Sequence, residues 1–239
     1  MQGGFGQSRN NSNKAALTAF VAIAMLESGV ERTEQSLVNA FRCIDQQTYD
    51  DAYTLSIVAY AYSIFDDSTV GAVNSYRRLM SMAKVDGSLT YWKANENEPA
   101  EPIIHWWYYR PRSADTETTA YALLTKLNTR LSVQQKISEG LSIVRWLSTQ
   151  RNPWGGFGST QDTVIGLQAL SEYASLIYHD GLQASIVVSE TATNNQVATF
   201  ELNDVNSFVE FTEKIPRVTN LTLSSTGKGC FLMQVSLSQ

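Results

Sequence analysis

Cysteine and histidine are scarce in this chain, with two of each among 239 residues. A zinc site needs three or four Cys, His or carboxylate ligands at short set spacings, and neither His105 nor His179 has such neighbours in sequence. No metal or cofactor is therefore expected. Lys and Arg do not cluster and the net charge is -5. Counterion release, which drives binding to a phosphate backbone, then has no source, and nucleic acid is excluded as a partner. Long apolar runs are missing too. The longest, residues 15–26 and 53–65, fall short of the roughly 20 residues that cross a bilayer, so no membrane span is expected and both read as buried helices. The amino terminus lacks a basic segment followed by an apolar one, the mark of a secretory leader. Gln2-Gly3-Gly4 directly after Met1 looks like a cut through a longer chain.

What the chain does have is apolar bulk, 43% of its residues, enough for a sizeable core and too much for disorder. Two helix textures alternate along it. "ALTAFVAIAML", "YTLSIVAYAY", "TTAYALL" and "DTVIGLQAL" are apolar or small on nearly every side, the pattern of a helix enclosed by other helices. Between them lie amphipathic segments. Leu37, Val38, Phe41 and Ile44 form one stripe, Ala72, Val73, Tyr76, Leu79, Met80 and Ala83 a second, and Ile137, Leu141, Val144 and Leu147 a third. Asp50 and Asp51 precede an enclosed helix; Ser132 with Gln135, and Ser159 with Asp162, have capping-box spacing. Enclosed and amphipathic helices taking turns predict hairpins in two concentric layers, an incomplete α/α toroid over 1–178.

The tetrapeptide Gly-Gly-Phe-Gly occurs twice, at residues 3–6 and 155–158. Neither copy has the strand, Lys and Ser/Thr setting of a phosphate loop. Both read as punctuation before an enclosed helix. Pro153 stops the preceding helix, glycine permits positive φ, and Phe157 is an apolar plug. Asp115, Glu117 and Asp162 fall near the starts of enclosed helices, where carboxylates cap; a pair of them for acid–base catalysis is the competing reading. His105 lies in "IIHWWYYRPRS", an aromatic loop, and His179 at a helix end. Beyond residue 178 the runs "ASIVVSE", "QVATFEL", "FVEFTEKI" and "VTNLTLSS" are short and β-branched, and Phe231, Met233, Val235 and Leu237 alternate with polar residues. They predict a small antiparallel β module over 184–239.

In order, "ALTAFVAIAMLESG", "YTLSIVAYAYS", "ADTETTAYALL", "IVRWLSTQRNPWGGFGSTQDTVIGLQALSEYA" and "GKGCFLMQVSL" resemble the latter part of the thioester domain of the alpha-2-macroglobulin and complement family, in the manner of insect thioester proteins. The resemblance implies a toroid inserted in a β-sandwich of CUB type, with residues 184–239 as its second half. It also implies an endopeptidase-inhibitor or opsonin parent, extracellular or anchored at the cell surface, that traps proteases or tags microbial surfaces. Partners would be the rest of that parent: the first CUB half, the macroglobulin domains and the receptor-binding domain. In the family the reactive bond joins the Cys and Gln of Gly-Cys-Gly-Glu-Gln, aided in some members by a His just before Gln-Gly-Gly. That pentapeptide is absent here and only Met1 precedes Gln2, so the fragment itself carries no catalytic residue, and Gly3, Gly4 and Phe5 are the thioester-pocket neighbours.

Two cysteines in an extracellular chain would ordinarily pair. Here "NAFRC" and "GKGC" resemble family positions whose partners lie elsewhere, which implies that Cys43 and Cys230 are not bonded to each other. Asn10 in "NNS" and Asn220 in "NLT" are glycosylation candidates. Two other classes stay open. A prenyltransferase or terpene cyclase would also use glycine-aromatic punctuation, but needs bound zinc or an acidic cavity. A glycan-binding module requires Trp106 and Trp107 side by side and exposed.

Overall fold

The computed structural model describes residues 11–95, 113–152, 154–177, 181–207, 209–216, 220–229, 231, 233 and 235. The chain divides into two compact units, Met1–Leu176 and Ile177–Gln239.

The first unit is helical. Its helices are α1 (Asn11–Glu27), α2 (Gln35–Asp45), α3 (Ala52–Phe65), α4 (Val70–Ser81), α5 (Ser113–Leu127), α6 (Val133–Thr149) and α7 (Thr160–Ile177). α1 packs on α3 and α3 on α5, while α2, α4 and α6 each back the inner helix before them. The alternation is thus a two-layer ring of hairpins, mostly helical, as the toroid reading requires. α3 and α5 are enclosed: every residue of 54–62 and of 116–127 is buried. Burial on all sides is what selects their largely apolar or small side chains, with Glu117 and Lys126 as buried charged exceptions on α5.

The caps are those the spacing predicts. Asp51 accepts the Thr54 N–H at 2.7 Å, and Ser132 and Gln135 cap each other reciprocally at the start of α6. Two outer stripes sit differently from the sequence pattern. On α4 the buried residues are Ala72, Ser75 and Leu79, and Val73 faces solvent. Ser75 can turn inward because its hydroxyl donates back to the Gly71 carbonyl at 2.7 Å. On α6 the seam runs through Gly140, Ile143 and Leu147, leaving Leu141 exposed. Gly140 makes room for the Tyr173 ring, whose carbon would stand 2.8 Å from any Cβ there.

A hairpin that the sequence pattern did not signal clearly joins the inner and outer layers. Strands β1 (Lys84–Asp86) and β2 (Leu89–Tyr91) pair antiparallel across a two-residue turn, with Gly87 at φ 57°. Glycine at the first of the two turn positions, Gly87 before Ser88, supplies the positive φ that such a turn requires. Tyr91 stacks on Trp146 of α6 at 5.1 Å, and the buried Trp92 donates its indole N–H to the Leu79 carbonyl at 2.6 Å.

The second unit is a three-stranded antiparallel sheet, ordered β4-β3-β5, from β3 (Gln183–Glu190), β4 (Gln196–Asn203) and β5 (Leu221–Lys228). Ala184, Ile186 and Val188 bury one face of β3. The run "FVEFTEKI" departs from the strand expectation: residues 209–216 carry no strand. β3 has two edges and β4 and β5 occupy both; Phe211 lies instead against the Phe200 ring at 6.2 Å. Phe231, Met233 and Val235 likewise carry no strand, and Leu237 lies outside the described residues.

Candidate functional site

Two features of the helical unit draw together residues that could act: the rim where the inner helices begin, and the polar line between those helices. At the rim, Ser113 Oγ of α5 and Ser159 Oγ just before α7 are 2.8 Å apart. The connection from α6 to α7 contains the second Gly-Gly-Phe-Gly. All six backbone N–H groups from Trp154 to Ser159 have acceptors. Trp154 and Gly156 donate to Asn152 Oδ1 at 3.0 and 3.1 Å, and Gly155 donates to the Asn152 carbonyl at 3.0 Å. Phe157 donates to Thr163 Oγ1 at 2.9 Å, and Gly158 and Ser159 donate to the Asp162 carboxylate at 3.1 and 2.6 Å.

A phosphate cradle requires free N–H groups converging on a space without negative charge. Here the donors are spent on side chains and on the Asn152 carbonyl, and a buried carboxylate occupies the centre. The loop is a staple. Gly155 takes φ 83°, and the Phe157 ring sits on Gly166 of α7, so close that a Cβ there would lie 2.5 Å from the ring. Trp154 at the loop's tip is 89% exposed.

The three rim carboxylates have separate roles. Asp162 closes the box with Ser159, whose Oγ accepts the Asp162 N–H at 3.3 Å. Asp115 reaches outside its helix and accepts the Ala94 N–H at 2.7 Å, tying the segment that follows β2 to the start of α5. Glu117 does not cap. It is buried, accepts the Tyr53 hydroxyl at 3.2 Å and the Gln161 amide at 2.7 Å, and so joins α3, α5 and α7.

The same triad recurs about two turns further along. Tyr60 donates to Glu27 Oε1 at 2.7 Å and Gln168 donates to the same oxygen at 3.0 Å. Tyr53 and Tyr60 are seven apart on α3, as are Gln161 and Gln168 on α7, which keeps each pair on one helical face. The glutamates come from α5 and α1. Between the triads lies Tyr121, buried, its ring 5.8 Å from that of Tyr60 and its hydroxyl without a partner among the described residues.

Burial pushes the Glu117 carboxyl above its ordinary range, against the two hydrogen bonds that favour its charged form. Glu172, which accepts from Gln168 at 3.2 Å, is raised for the same first reason. Burial also raises Tyr53, Tyr60 and Tyr121, reinforced by the neighbouring carboxylates. A catalytic carboxylate pair needs one group free to meet substrate. Asp162 and Asp115 are bound to backbone, and Glu117 is enclosed. Among the described residues no group of three or more Cys, His, Asp or Glu could hold a metal ion. A groove of about 530 Å³ between α2, α3 and α4, floored by Phe41, Tyr62 and Phe65, is lined by none of the sequence-predicted site residues.

Cys43 is a buried free thiol on α2, and Gln47 donates to its Sγ at 3.1 Å. Asn220 is exposed at the entry to β5; its carbonyl accepts the Thr191 N–H at 2.8 Å. Gly3, Gly4, Phe5, Asn10, His105, Trp106, Trp107, Pro153, His179 and Cys230 lie outside the described residues. The tyrosine–glutamate–glutamine triads escaped the sequence reading. Their one local trace is the seven-residue repeat of Tyr on α3 and Gln on α7.

The helical unit is thus a two-layer set of hairpins whose rim loops are held by their own capping side chains. The family model for the A-macroglobulin TED domain matches residues 1–173, and the chain belongs to that alpha-2-macroglobulin family. Ovostatin from Gallus gallus is 33% identical over 233 residues, covering 94% of this chain and 15% of ovostatin. Complement C3 from Lethenteron camtschaticum is 28% identical across 98% of this chain and 14% of that protein. The chain thus spans about a seventh of the length of these relatives. No helix among the described residues is long and apolar enough to cross a membrane.

Proposed function

We propose that this chain is the scaffold half of a thioester domain, joined to the second half of a CUB-type β domain, in an extracellular macroglobulin or complement-like protein. The parent traps proteases or marks microbial surfaces, and the helical unit is the cargo that proteolysis releases to carry the thioester to its target. The observation that carries this reading is the family match over residues 1–173 together with relatives about sevenfold longer. Helices α3, α5 and α7 begin on the rim where Tyr53, Glu117 and Gln161 meet. Gly3, Gly4 and Phe5 precede α1, the first inner helix, and in this scheme contribute one face of the thioester pocket.

The fragment makes no covalent bond of its own, because Gly-Cys-Gly-Glu-Gln is not in its sequence. In this scheme Cys43 and Cys230 have partners elsewhere in the parent, and Asn10 and Asn220 carry glycans. The test is incorporation of labelled methylamine. The parent exposed to a protease takes up label, while this chain alone takes up none; labelling of the isolated chain would refute the assignment.

A further inference from the structure

α7 is seated on the inner layer through a few long side chains. One of its sides is an open stripe, with Val164 58% and Leu167 42% exposed. Its described hydrogen bonds to α1, α3 and α5 leave from Gln161 and Gln168 and end on Glu117, Glu27 and Tyr60. The second glutamine has more acceptors than protons. Its amide nitrogen carries two hydrogens but faces three oxygens: Glu27 Oε1 at 3.0 Å, the Tyr60 hydroxyl at 3.1 Å and Glu172 Oε1 at 3.2 Å. One of the three is always short of a donor, and a charged carboxylate is the costliest to leave so. A proton on Glu172 removes that charge and adds a donor at the same place.

The charges along this seam share one sign. Glu27 faces it from α1, Glu117 from α5, and Asp162 and Glu172 from α7, among the hydroxyls of Tyr53, Tyr60 and Tyr121. α6 meets α7 at the Ile137 carbonyl, which carries no charge. Burial, and then the negative charge of Asp162 on Glu117 and of Glu27 on Glu172, holds both carboxyls above their ordinary range against the hydrogen bonds they accept. Between the two contacts the Tyr121 hydroxyl, fully buried and without a partner among the described residues, lies in the field of Glu117 and Glu27, a donor in reserve. We propose that Gln161 with Glu117, and Gln168 with Glu27 and Glu172, form a proton-operated seat for α7: acid clamps the helix to α1, α3 and α5, and ionisation loosens it together with the loop that carries Trp154. The loop follows because Asp162, Thr163 and Gly166, which hold its Phe157 to Ser159 end, all belong to α7. The seated helix binds its protons more tightly, so seating is strongest below the ordinary carboxyl value of 4.5 and weakens as pH rises through the folded values.

The experiment is hydrogen exchange of the full 239-residue chain, read by mass spectrometry at about pH 4.5 and about pH 8 and corrected for the intrinsic rate. Protection of residues 160–177 should stand below that of 52–65 at both pH values, the mark of local opening. It should also be about fivefold lower at the higher pH, within the roughly tenfold that one unit of pKa difference allows. Equal protection of the two helices would mean that α7 leaves only with global unfolding, and overturns the proposal. The double variant Glu117→Gln, Glu172→Gln cannot ionise at either contact and should lose most of the pH dependence; a fall as large as in the unaltered chain overturns it too. A second measurement does not depend on that variant folding. The midpoint of Glu172, followed by carbon-13 chemical shift, should move down in Glu27→Gln, and an unmoved midpoint would show that the two carboxylates do not share a seat.

Discussion

α3 and α7 are both inner helices of apolar, small-residue texture, yet they are held in place by different forces. α3 is surrounded, and nine consecutive residues, 54–62, have no significant access to water. α7 buries only Asp162, Ile165, Gly166, Ala169 and Tyr173. What fixes α7 is a set of directed contacts: Gln161 to Glu117, Gln168 to Glu27 and Tyr60, and the Tyr173 hydroxyl to the Ile137 carbonyl at 2.8 Å. Apolar burial is non-directional and tolerates small shifts, while hydrogen bonds fix register and lose their value when one partner moves. The contrast teaches that an enclosed helix is secured by area and a half-open one by geometry.

Substitutions can break this comparison, beginning with the largest expected effect. Leu55→Ala on α3 removes a fully buried side chain and should lower stability by about 2–5 kcal/mol in urea unfolding followed by circular dichroism. A loss below about 1 kcal/mol would show that α3 is not the closed helix described. Gly140→Ala places a methyl under the Tyr173 ring, 2.8 Å from its nearest carbon. The ring must swing and strain its bond to Ile137, for a loss of about 1–3 kcal/mol. Tyr173→Phe separates the two effects, since it removes only the hydrogen bond, about 0.5–1.5 kcal/mol.

Asp162→Ala withdraws the acceptor of the Gly158 and Ser159 N–H groups. A loss of about 0.5–2 kcal/mol is expected, with faster proteolysis in the loop that carries Trp154. If Asp162→Ala leaves hydrogen exchange at residues 158 and 159 unchanged, the staple is not what orders the loop.

Glu117 gives the comparison a pH axis. Its ordinary value is 4.5 and burial raises it in the folded chain. In the window between those two values the folded state holds the extra proton, so stability is fully present below 4.5 and declines as pH rises through the folded value. Glu117→Gln keeps an oxygen to accept from Tyr53 and Gln161 but cannot ionise. Its stability should fall less steeply across that window in urea titrations, with the residual slope belonging to Glu172, whose pKa is raised as well. Identical slopes in both proteins would mean that Glu117 is not buried in the way described. The smallest effect should be Leu167→Ala on the open stripe of α7, within about 0.5 kcal/mol. A loss of the size seen at Leu55 would erase the distinction between the two helices.

Much of this was legible along the chain. Asp51, Ser132 with Gln135, and Ser159 with Asp162 cap the helices they precede, because a cap is a contact across three residues and therefore local. Phe157 reads as a plug for the same reason, being tied to a glycine-bearing turn. Asp115 was less legible: a carboxylate in the first turn of a helix looks like a cap, yet it serves the backbone of Ala94, 21 positions earlier.

By itself the sequence determined where the helices lie and where the chain turns to strands, though not each strand, together with the alternation of enclosed with amphipathic helices and the family that its most distinctive stretch resembles. Each of these depends on side chains within a few positions of one another, where periodicity and capping geometry act directly. Only the tertiary structure decided which face of α4 and α6 turns inward, and that Glu117 leaves its helix end to join Tyr53 and Gln161. It alone brought together Gln168 and Glu27, 141 positions apart. Such pairings depend on how far one helix is rotated against another, a quantity fixed by packing around Gly140 and Gly166 and invisible to any local rule.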